Sequence, residues 1–289
     1  MPACFSANRV SMPFLRVRDV RLHYEVDGPA GETATAGAPL LLLHGLGSST
    51  RDWQPQADAF AERRCVLRLD LRGHGRSDAP PGPYSIPLFA GDVADAVRRL
   101  RREIGGSGRV HVAGLSLGGM VTFQLALDAP ALVESLTVVN SGVDYRMRTR
   151  RRRRLLWQRR LALRLLSMRR VGAVLGRRLF PDRPALQREM ATRWAGNDPE
   201  AYRAAFEAIM GWSVRARLPH IDAPTLVAAA DGDYLPLSAY RVYVSRLPHA
   251  ELAVLKGLRH AAPVEQPEAF NEALAAFLKQ IEEGERVGR

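Results

Sequence analysis

The sequence predicts an α/β fold: a mostly parallel central sheet flanked by helices, with an inserted helical cap. Short apolar runs alternate with longer amphipathic segments, which is the pattern of parallel strands joined by crossover helices. One stretch, 143–217, interrupts this alternation and contains no convincing strand. The chain has 289 residues, of which 46% are hydrophobic, so it is long enough to bury a sizeable core.

Six short apolar runs predict strands that are buried on both faces of the sheet. They are Pro39–Leu43, Cys65–Asp70, Arg109–Gly114, Leu136–Asn140, Thr225–Ala230 and Leu252–Leu255. The segment Arg16–Glu25 instead alternates apolar and polar residues, so we expect an antiparallel hairpin strand at the edge of the sheet.

Amphipathic segments at Ile86–Glu103, Gly118–Leu127 and Pro267–Glu283 predict helices that pack on the sheet. The stretch 143–217 reads as Arg-rich helix between two strands of the same sheet, and is therefore an insertion. The predicted organisation is an N-terminal extension (1–13, with Met12 as a candidate start), a core made of 14–142 and 218–289, and a helical lid (143–217).

Composition excludes several classes of protein. The two cysteines, Cys4 and Cys65, cannot form a disulfide framework or a metal-binding Cys-x-x-Cys pair, which favours a reducing compartment. No apolar run approaches the length of a membrane span, and the first residues do not read as a signal peptide. We therefore expect a cytoplasmic protein.

The motif Gly114-Leu115-Ser116-Leu117-Gly118 lies between a predicted strand and a predicted helix. Gly-x-Ser-x-Gly alone is weak evidence, but a strand-to-helix turn is where a nucleophilic serine is held in a strained backbone. The start of the helix also places free N–H groups and positive dipole where an oxyanion would form. Ser116 is the candidate nucleophile.

A second motif, His44-Gly45-Leu46-Gly47, follows the apolar strand at Leu41–Leu43. This flexible loop is expected beside Ser116, where the backbone N–H groups of Leu46 and Leu117 would form an oxyanion hole. We expect His44 to hold the loop rather than to act as the catalytic base. Trp53, shortly after the loop, lines an acyl pocket or packs in the core.

Together with the segment Asp70–Ser77 (DLRGHGRS), these two motifs resemble the α/β-hydrolase family, in the family's order and spacing. The resemblance extends from about Phe14 to Phe277, and the insertion lies where the family carries its lid. It implies a triad in the chain order serine, acid, histidine.

The resemblance assigns the acid to the loop after Thr225–Ala230 and the base to the loop after the last strand. In the first loop Asp233 is favoured over Asp231, and Asp144, one strand earlier, is a more distant alternative. In the second loop His260 follows a glycine and precedes a Pro-containing segment and a helix, as in the family.

These residues predict a serine hydrolase that cleaves carboxylic esters or thioesters of small to medium acyl groups through an acyl-enzyme on Ser116. No cofactor and no metal are expected. The same triad would also serve C–C bond hydrolysis of a ring-fission diketone, or acyl transfer. A Ser at the nucleophile position argues against the dehalogenase and epoxide hydrolase branches, which use Asp.

The positive charge is concentrated in the insertion. The chain has 42 Lys and Arg against 30 Asp and Glu, a net charge of +12. Segment 143–217 alone carries 20 Arg and 6 carboxylates, so the rest of the chain is slightly negative. The run Arg150–Arg154 and the arginines that follow it are typical of a lid helix with a solvated Arg face, and they also fit docking to an acyl carrier protein, coenzyme A or an anionic membrane surface. No motif that reads nucleic acid is visible, so nucleic acid is not the expected partner.

Overall fold

The computed structural model describes residues 14–29, 37–104 and 108–284. The predicted N-terminal extension, with Cys4 and Met12, lies outside the described residues. Within these ranges, eight strands form one sheet in the order β1-β2-β4-β3-β5-β6-β7-β8. Their bounds are β1 Phe14–Val17, β2 Val20–Asp27, β3 Leu40–Leu43, β4 Val66–Leu69, β5 Val110–Leu115, β6 Val133–Val139, β7 Thr225–Ala230 and β8 Ala250–Leu255.

The sheet is parallel from β4 to β8, and β1 and β2 run antiparallel at its edge. The mostly parallel α/β architecture predicted from the sequence is confirmed. The alternating segment Arg16–Glu25 forms not one strand but parts of two, which a tight turn at Arg18, with a φ of 48°, separates. Strands β6 and β8 also begin earlier than their apolar runs, because polar residues such as Ser135 and Glu251 continue the parallel pairing.

Ten α-helices are found among the described residues. They are α1 Gln54–Phe60, α2 Ile86–Ile104, α3 Leu117–Asp128, α4 Arg150–Leu165, α5 Met168–Leu179, α6 Pro184–Ala195, α7 Pro199–Ile209, α8 Leu237–Val244, α9 Ala262–Glu265 and α10 Pro267–Glu282. Helices α2, α3 and α8 contribute to the core on one face of the sheet, and α1, α9 and α10 to the core on the other. Because helices cover both faces of the sheet, the side chains on both sides of each central strand are buried. This explains why the predicted strands are continuous apolar runs.

Helices α4 to α7 form the insertion between β6 and β7, which are neighbours in the sheet. They share a small apolar cluster of their own, made by Leu163, Met168, Val171, Trp194, Tyr202 and Phe206. Leu46 of the loop after β3 packs against this cluster. The insertion therefore rests on the loop that sequence analysis places beside Ser116.

Within the described residues, no helix combines the length and the apolar character that crossing a bilayer requires. The same residues contain no cluster of three or more His, Cys, Asp and Glu side chains suited to a metal ion. Cys65 is buried, and burial raises the pKa of its thiol to about 12. Its thiol is thus kept protonated, as expected for a packing residue.

Candidate active site

Ser116 occupies a strained turn between β5 and α3. Its backbone has φ 54° and ψ −108°, a conformation that non-glycine residues rarely adopt. The Ser116 N–H donates to the carbonyl of Val139 at 2.9 Å, and the Ser116 carbonyl accepts from the Ser141 hydroxyl at 2.8 Å. Strain of this kind costs about 1–3 kcal/mol and persists where neighbouring contacts enforce it, most often at functional sites.

Glycines around Ser116 let the strand, the helix and the preceding loop approach one another. A Cβ atom on Gly118 would lie 2.1 Å from the carbonyl oxygen of Leu43, and one on Gly114 would lie 2.4 Å from the Gly118 backbone. The small residues of the motif are therefore required by close backbone packing, as the sequence predicts for a nucleophile turn.

The loop after β3 lies against this turn. A Cβ atom on Gly45 would be 3.7 Å from the Cβ of Ser116, which places the loop in van der Waals range of the serine. The N–H of Leu46 donates no hydrogen bond among the described residues, and Leu117 opens α3, where an N–H has no intrahelical acceptor. Two N–H groups are thus free beside Ser116.

His44 has the supporting role expected for it. The Leu71 N–H donates to Nε2 of His44 at 3.0 Å, so Nδ1 carries the proton and donates to the Gly45 carbonyl at 2.8 Å. The ring is fully buried between backbone groups. It fixes the loop and leaves no nitrogen for proton transfer.

His260 and Asp233 meet at the carboxyl edge of the sheet. Nδ1 of His260 lies 2.5 Å from Oδ1 of Asp233, whose side chain is 1% exposed. The second carboxylate oxygen accepts hydrogen bonds from the Tyr240 hydroxyl and from the Leu235 N–H. Burial disfavours the ionised form, but the bonds from His260 and Tyr240 outweigh it and lower the pKa of Asp233.

The alternative acids lie elsewhere. Asp231 is exposed, and Oδ1 accepts a hydrogen bond from the Gly257 N–H at 2.8 Å, so it fastens the turn after β8. Asp144 forms ion pairs with Arg146 and Arg148, and the hydrogen bond from Arg146, against the opposing effect of burial, lowers its pKa. The geometry therefore favours Asp233 as the partner of His260.

Asn140 and Tyr240 support the site, and sequence reasoning did not identify either. Asn140 directly follows β6 with φ 44°, and its amide donates to the carbonyls of Arg259 and His260 at 3.0 and 2.9 Å. Its Oδ1 accepts from the Ala230 N–H at 2.8 Å, so one side chain joins the histidine loop to the end of β7. The available clue was an Asn at a strand end, a residue that tolerates positive φ.

Tyr234 links the insertion to the histidine. Its ring centroid lies 4.4 Å from that of His260, and the guanidinium of Arg178 lies 4.4 Å from the Tyr234 ring centroid. Arg178 belongs to α5, so an insertion side chain reaches the acid loop. Trp53, by contrast, is buried against Phe270 in the core.

Two clefts border the site among the described residues. One, of about 430 Å³, lies between the loop after β3 and α6 and is lined by Gly47, Trp194 and Ala261. The other, of about 700 Å³, lies between α4 and α8 and is lined by Gly142 and Leu235. Neither Ser116 nor His260 is among the residues that line these two clefts.

A family model described as the alpha/beta hydrolase family matches residues 40–273, which include Ser116, Asp233 and His260. The chain belongs to the α/β-hydrolase family. A relative in Azorhizobium caulinodans, named carbamate hydrolase RutD, is 32% identical over 94% of this chain and 100% of its own length. The 3-oxoadipate enol-lactonase 2 of Acinetobacter baylyi is 29% identical over 92% of this chain and 96% of its own.

Solved structures agree with the sequence relatives. The crystal structure of the enol-lactonase from Burkholderia xenovorans superposes with a TM-score of 0.82 and 26% identity, and the match covers 92% of this chain and 100% of that one. As an α/β hydrolase with relatives named as hydrolases, this protein is a hydrolase.

Proposed function

We propose that this α/β hydrolase is a serine hydrolase that cleaves carboxylic esters or thioesters of small to medium acyl groups. The observation that carries the proposal is the 2.5 Å hydrogen bond between His260 and Asp233, at the sheet edge where Ser116 occupies a strained turn. Ser116 is the nucleophile, His260 the general base and Asp233 the acid that orients it.

The chemistry follows from these positions. Because Nδ1 of His260 is hydrogen-bonded to Asp233, Nε2 is the nitrogen that accepts the Ser116 proton as the hydroxyl oxygen attacks the ester carbonyl. The N–H groups of Leu46 and Leu117 donate to the resulting oxyanion. The imidazolium returns the proton to the leaving alcohol or thiol, and water, activated in turn by His260, releases the acid from Ser116.

The insertion (143–217) acts as the lid of this site. Its cluster rests on Leu46, and Asn197 donates a hydrogen bond to the Gly47 carbonyl at 2.8 Å. A lid packed this closely over the oxyanion loop favours a compact acyl group. A lactone is a cyclic ester and a carbamate also presents an acyl carbonyl, so the named activities of the relatives are compatible with the same steps. In the part of the chain that the structure describes, no contact favours C–C bond hydrolysis or acyl transfer over ester hydrolysis.

The test is a hydrolysis panel of p-nitrophenyl acetate, butyrate and octanoate, a simple lactone and a carbamate ester. Wild type should turn over the short esters fastest, and Ser116→Ala should lose at least about 10³-fold in kcat while remaining folded. A fluorophosphonate should label wild type and not Ser116→Ala. Full activity in Ser116→Ala, or labelling at another serine, would contradict the proposal. The cytoplasmic location stays a prediction.

A further inference from the structure

Helix α4 exposes apolar side chains on the face that turns away from the rest of the molecule. Trp157, Leu161 and Leu165 are 62%, 41% and 71% exposed. Their spacing of four residues places them in one stripe along the helix. Side chains of this size are seldom left exposed in a contiguous row without a binding role.

The opposite face of α4 packs on the rest of the insertion, apart from Leu155, which is 54% exposed. Leu163 is buried in the insertion cluster, with Leu156 packed against it. Arg160 forms an ion pair with Glu207, and the Arg159 guanidinium lies 4.8 Å from the centroid of the Phe206 ring. The stripe is therefore a second apolar face, and packing against the insertion does not account for it.

Arginines flank the stripe. Arg150, Arg154 and Arg164 lie three or seven residues from members of the stripe, which places them on the same side of the helix. All three are exposed, and none pairs with a carboxylate among the described residues. The outer face of α4 thus combines a Trp and two Leu with unpaired guanidinium groups.

We propose that the outer face of α4 binds an anionic lipid membrane, with Trp157, Leu161 and Leu165 inserted at the headgroup boundary and the arginines on lipid phosphates. Apolar stripes rimmed by basic residues lie in this way at membrane surfaces, where Trp is favoured. A second copy of the chain would bring the same arginines into opposition across a two-fold axis, which charge repulsion disfavours.

Membrane binding at this face has a consequence for catalysis. The inner face of α4 belongs to the cluster that rests on Leu46, so the bound lipid surface would lie on the far side of one helix from the active site. Esters dissolved in the membrane would then be concentrated at the lid. This consequence rests on the proposed serine hydrolase activity, whereas membrane binding itself does not.

The experiment measures sedimentation of the full chain with vesicles at about 0.15 M salt. One set of vesicles is pure phosphatidylcholine and the other contains about 30% phosphatidylglycerol. Wild type should bind the anionic vesicles at least about tenfold more tightly. Its Trp emission should shift to the blue, and Trp157→Phe should remove the shift and retain binding. Of the other three tryptophans, Trp53 and Trp194 are buried, and Trp212 is half-buried with its indole N–H donating to Gln124.

Two variants on α4 test the binding face, and one variant on α2 is the control. Joint replacement of Trp157, Leu161 and Leu165 by Ser should weaken binding at least about tenfold. Arg154→Gln with Arg164→Gln should weaken it about tenfold to thirtyfold. The matched control is Arg99→Gln with Arg102→Gln on α2, which removes equal charge from exposed positions elsewhere and should change binding less than about threefold.

Circular dichroism and turnover of a water-soluble ester should be unchanged in these variants, which separates loss of binding from loss of folding. Failure of wild type to bind anionic vesicles overturns the proposal, as does unchanged binding by the Ser variant. Sedimentation of wild type as a dimer that the Ser variant converts to a monomer would assign the stripe to a second copy instead. If wild type binds anionic vesicles but hydrolyses no ester, the serine hydrolase proposal fails and the membrane-binding proposal is still supported.

Discussion

Asp233 is the residue at which the structure separates two adjacent candidates. Asp233 contacts His260, whereas Asp231 accepts a hydrogen bond from Gly257 and faces solvent. Asp233→Asn should lower kcat about 10³- to 10⁴-fold, because an amide no longer stabilises the charged imidazole or fixes its tautomer. Asp231→Asn is the control and should change kcat less than about threefold. Steady-state kinetics on a short ester measures both, and equal losses would contradict the assignment.

Tyr240 governs how readily Asp233 takes up a proton. Burial opposes ionisation of Asp233, and the bonds from His260 and Tyr240 reverse this, so its folded-state pKa lies below the ordinary value. The ionised carboxyl therefore stabilises the fold at pH values above about 3.9, and this contribution is lost as the pH falls through the folded-state pKa. Removing one donor should raise that pKa towards the unfolded-state value, so that the contribution at high pH is smaller and less of it is lost on acidification.

The corresponding prediction is that the stability deficit of Tyr240→Phe relative to wild type is largest near neutral pH and shrinks as the pH falls between about 5 and 3, where a pH-independent cost of about 1–2 kcal/mol remains. The control is Tyr243→Phe, which removes a neighbouring buried hydroxyl that donates to the Ser141 carbonyl. Its cost should not vary with pH in this range. Urea unfolding across the range gives the two curves, and parallel curves would refute the role of Tyr240.

At the scale of elements, the first turn of α3 depends on the absence of a side chain at Gly118. An added Cβ would collide with the Leu43 carbonyl at 2.1 Å, and both groups belong to backbone that cannot move without disturbing β3. Gly118→Ala should therefore cost about 3 kcal/mol or more. Gly196→Ala places its Cβ 3.5 Å from the nearest atom and should be nearly neutral. Thermal unfolding of the two variants should differ by several degrees.

Helix α6 is tied to the loop that follows β3 by one ion pair. Arg193 lies 2.7 Å from Asp52, and burial raises the pKa of Asp52 although Arg193 opposes the effect. Arg193→Gln should leave that carboxyl without its cation, cost about 1–2 kcal/mol and raise KM by loosening the lid. Arg217→Gln breaks an exposed pair with Asp128 and should cost under about 1 kcal/mol. Limited proteolysis within the insertion should be accelerated in Arg193→Gln and not in Arg217→Gln. Equal rates in the two variants would contradict a role of Arg193 in holding the insertion on the loop.

The sequence predicts the helices and strands well where one hydrophobic periodicity dominates. It predicts them less well where contacts between distant segments determine where a strand begins or turns. Strands such as β3 and β7 are buried on both faces, so unbroken apolar runs mark them. The turn at Arg18 and the early start of β6 depend on pairing partners far along the chain. In the site, the motifs identify Ser116 and His260, but Asn140 and Tyr240 act through hydrogen bonds that no local pattern encodes.

At the scale of the whole molecule, the net charge of +12 is unevenly distributed. The insertion carries 20 Arg against 6 carboxylates, while the remainder of the chain has slightly more acidic than basic residues. Only some of these arginines are paired, as Arg160 is with Glu207, and others, such as Arg154, extend into solvent. From this charge imbalance we expect repulsion among the unpaired ones to destabilise the insertion relative to the core.

This imbalance predicts that the insertion opens independently of the core, and that salt suppresses the opening. Raising the salt concentration from about 0.02 M to 0.5 M shortens the Debye length from roughly 20 Å to under 5 Å, and so screens the arginines from one another. Hydrogen exchange of the amides in α4 to α6 should slow about tenfold over this range, while exchange in β5 and β6 should stay constant. Because β5 and β6 lie in the nearly neutral core, they are the internal control. Equal slowing in both regions would mean that salt stabilises the entire fold, and would contradict a specific effect of the insertion's arginines on its own opening.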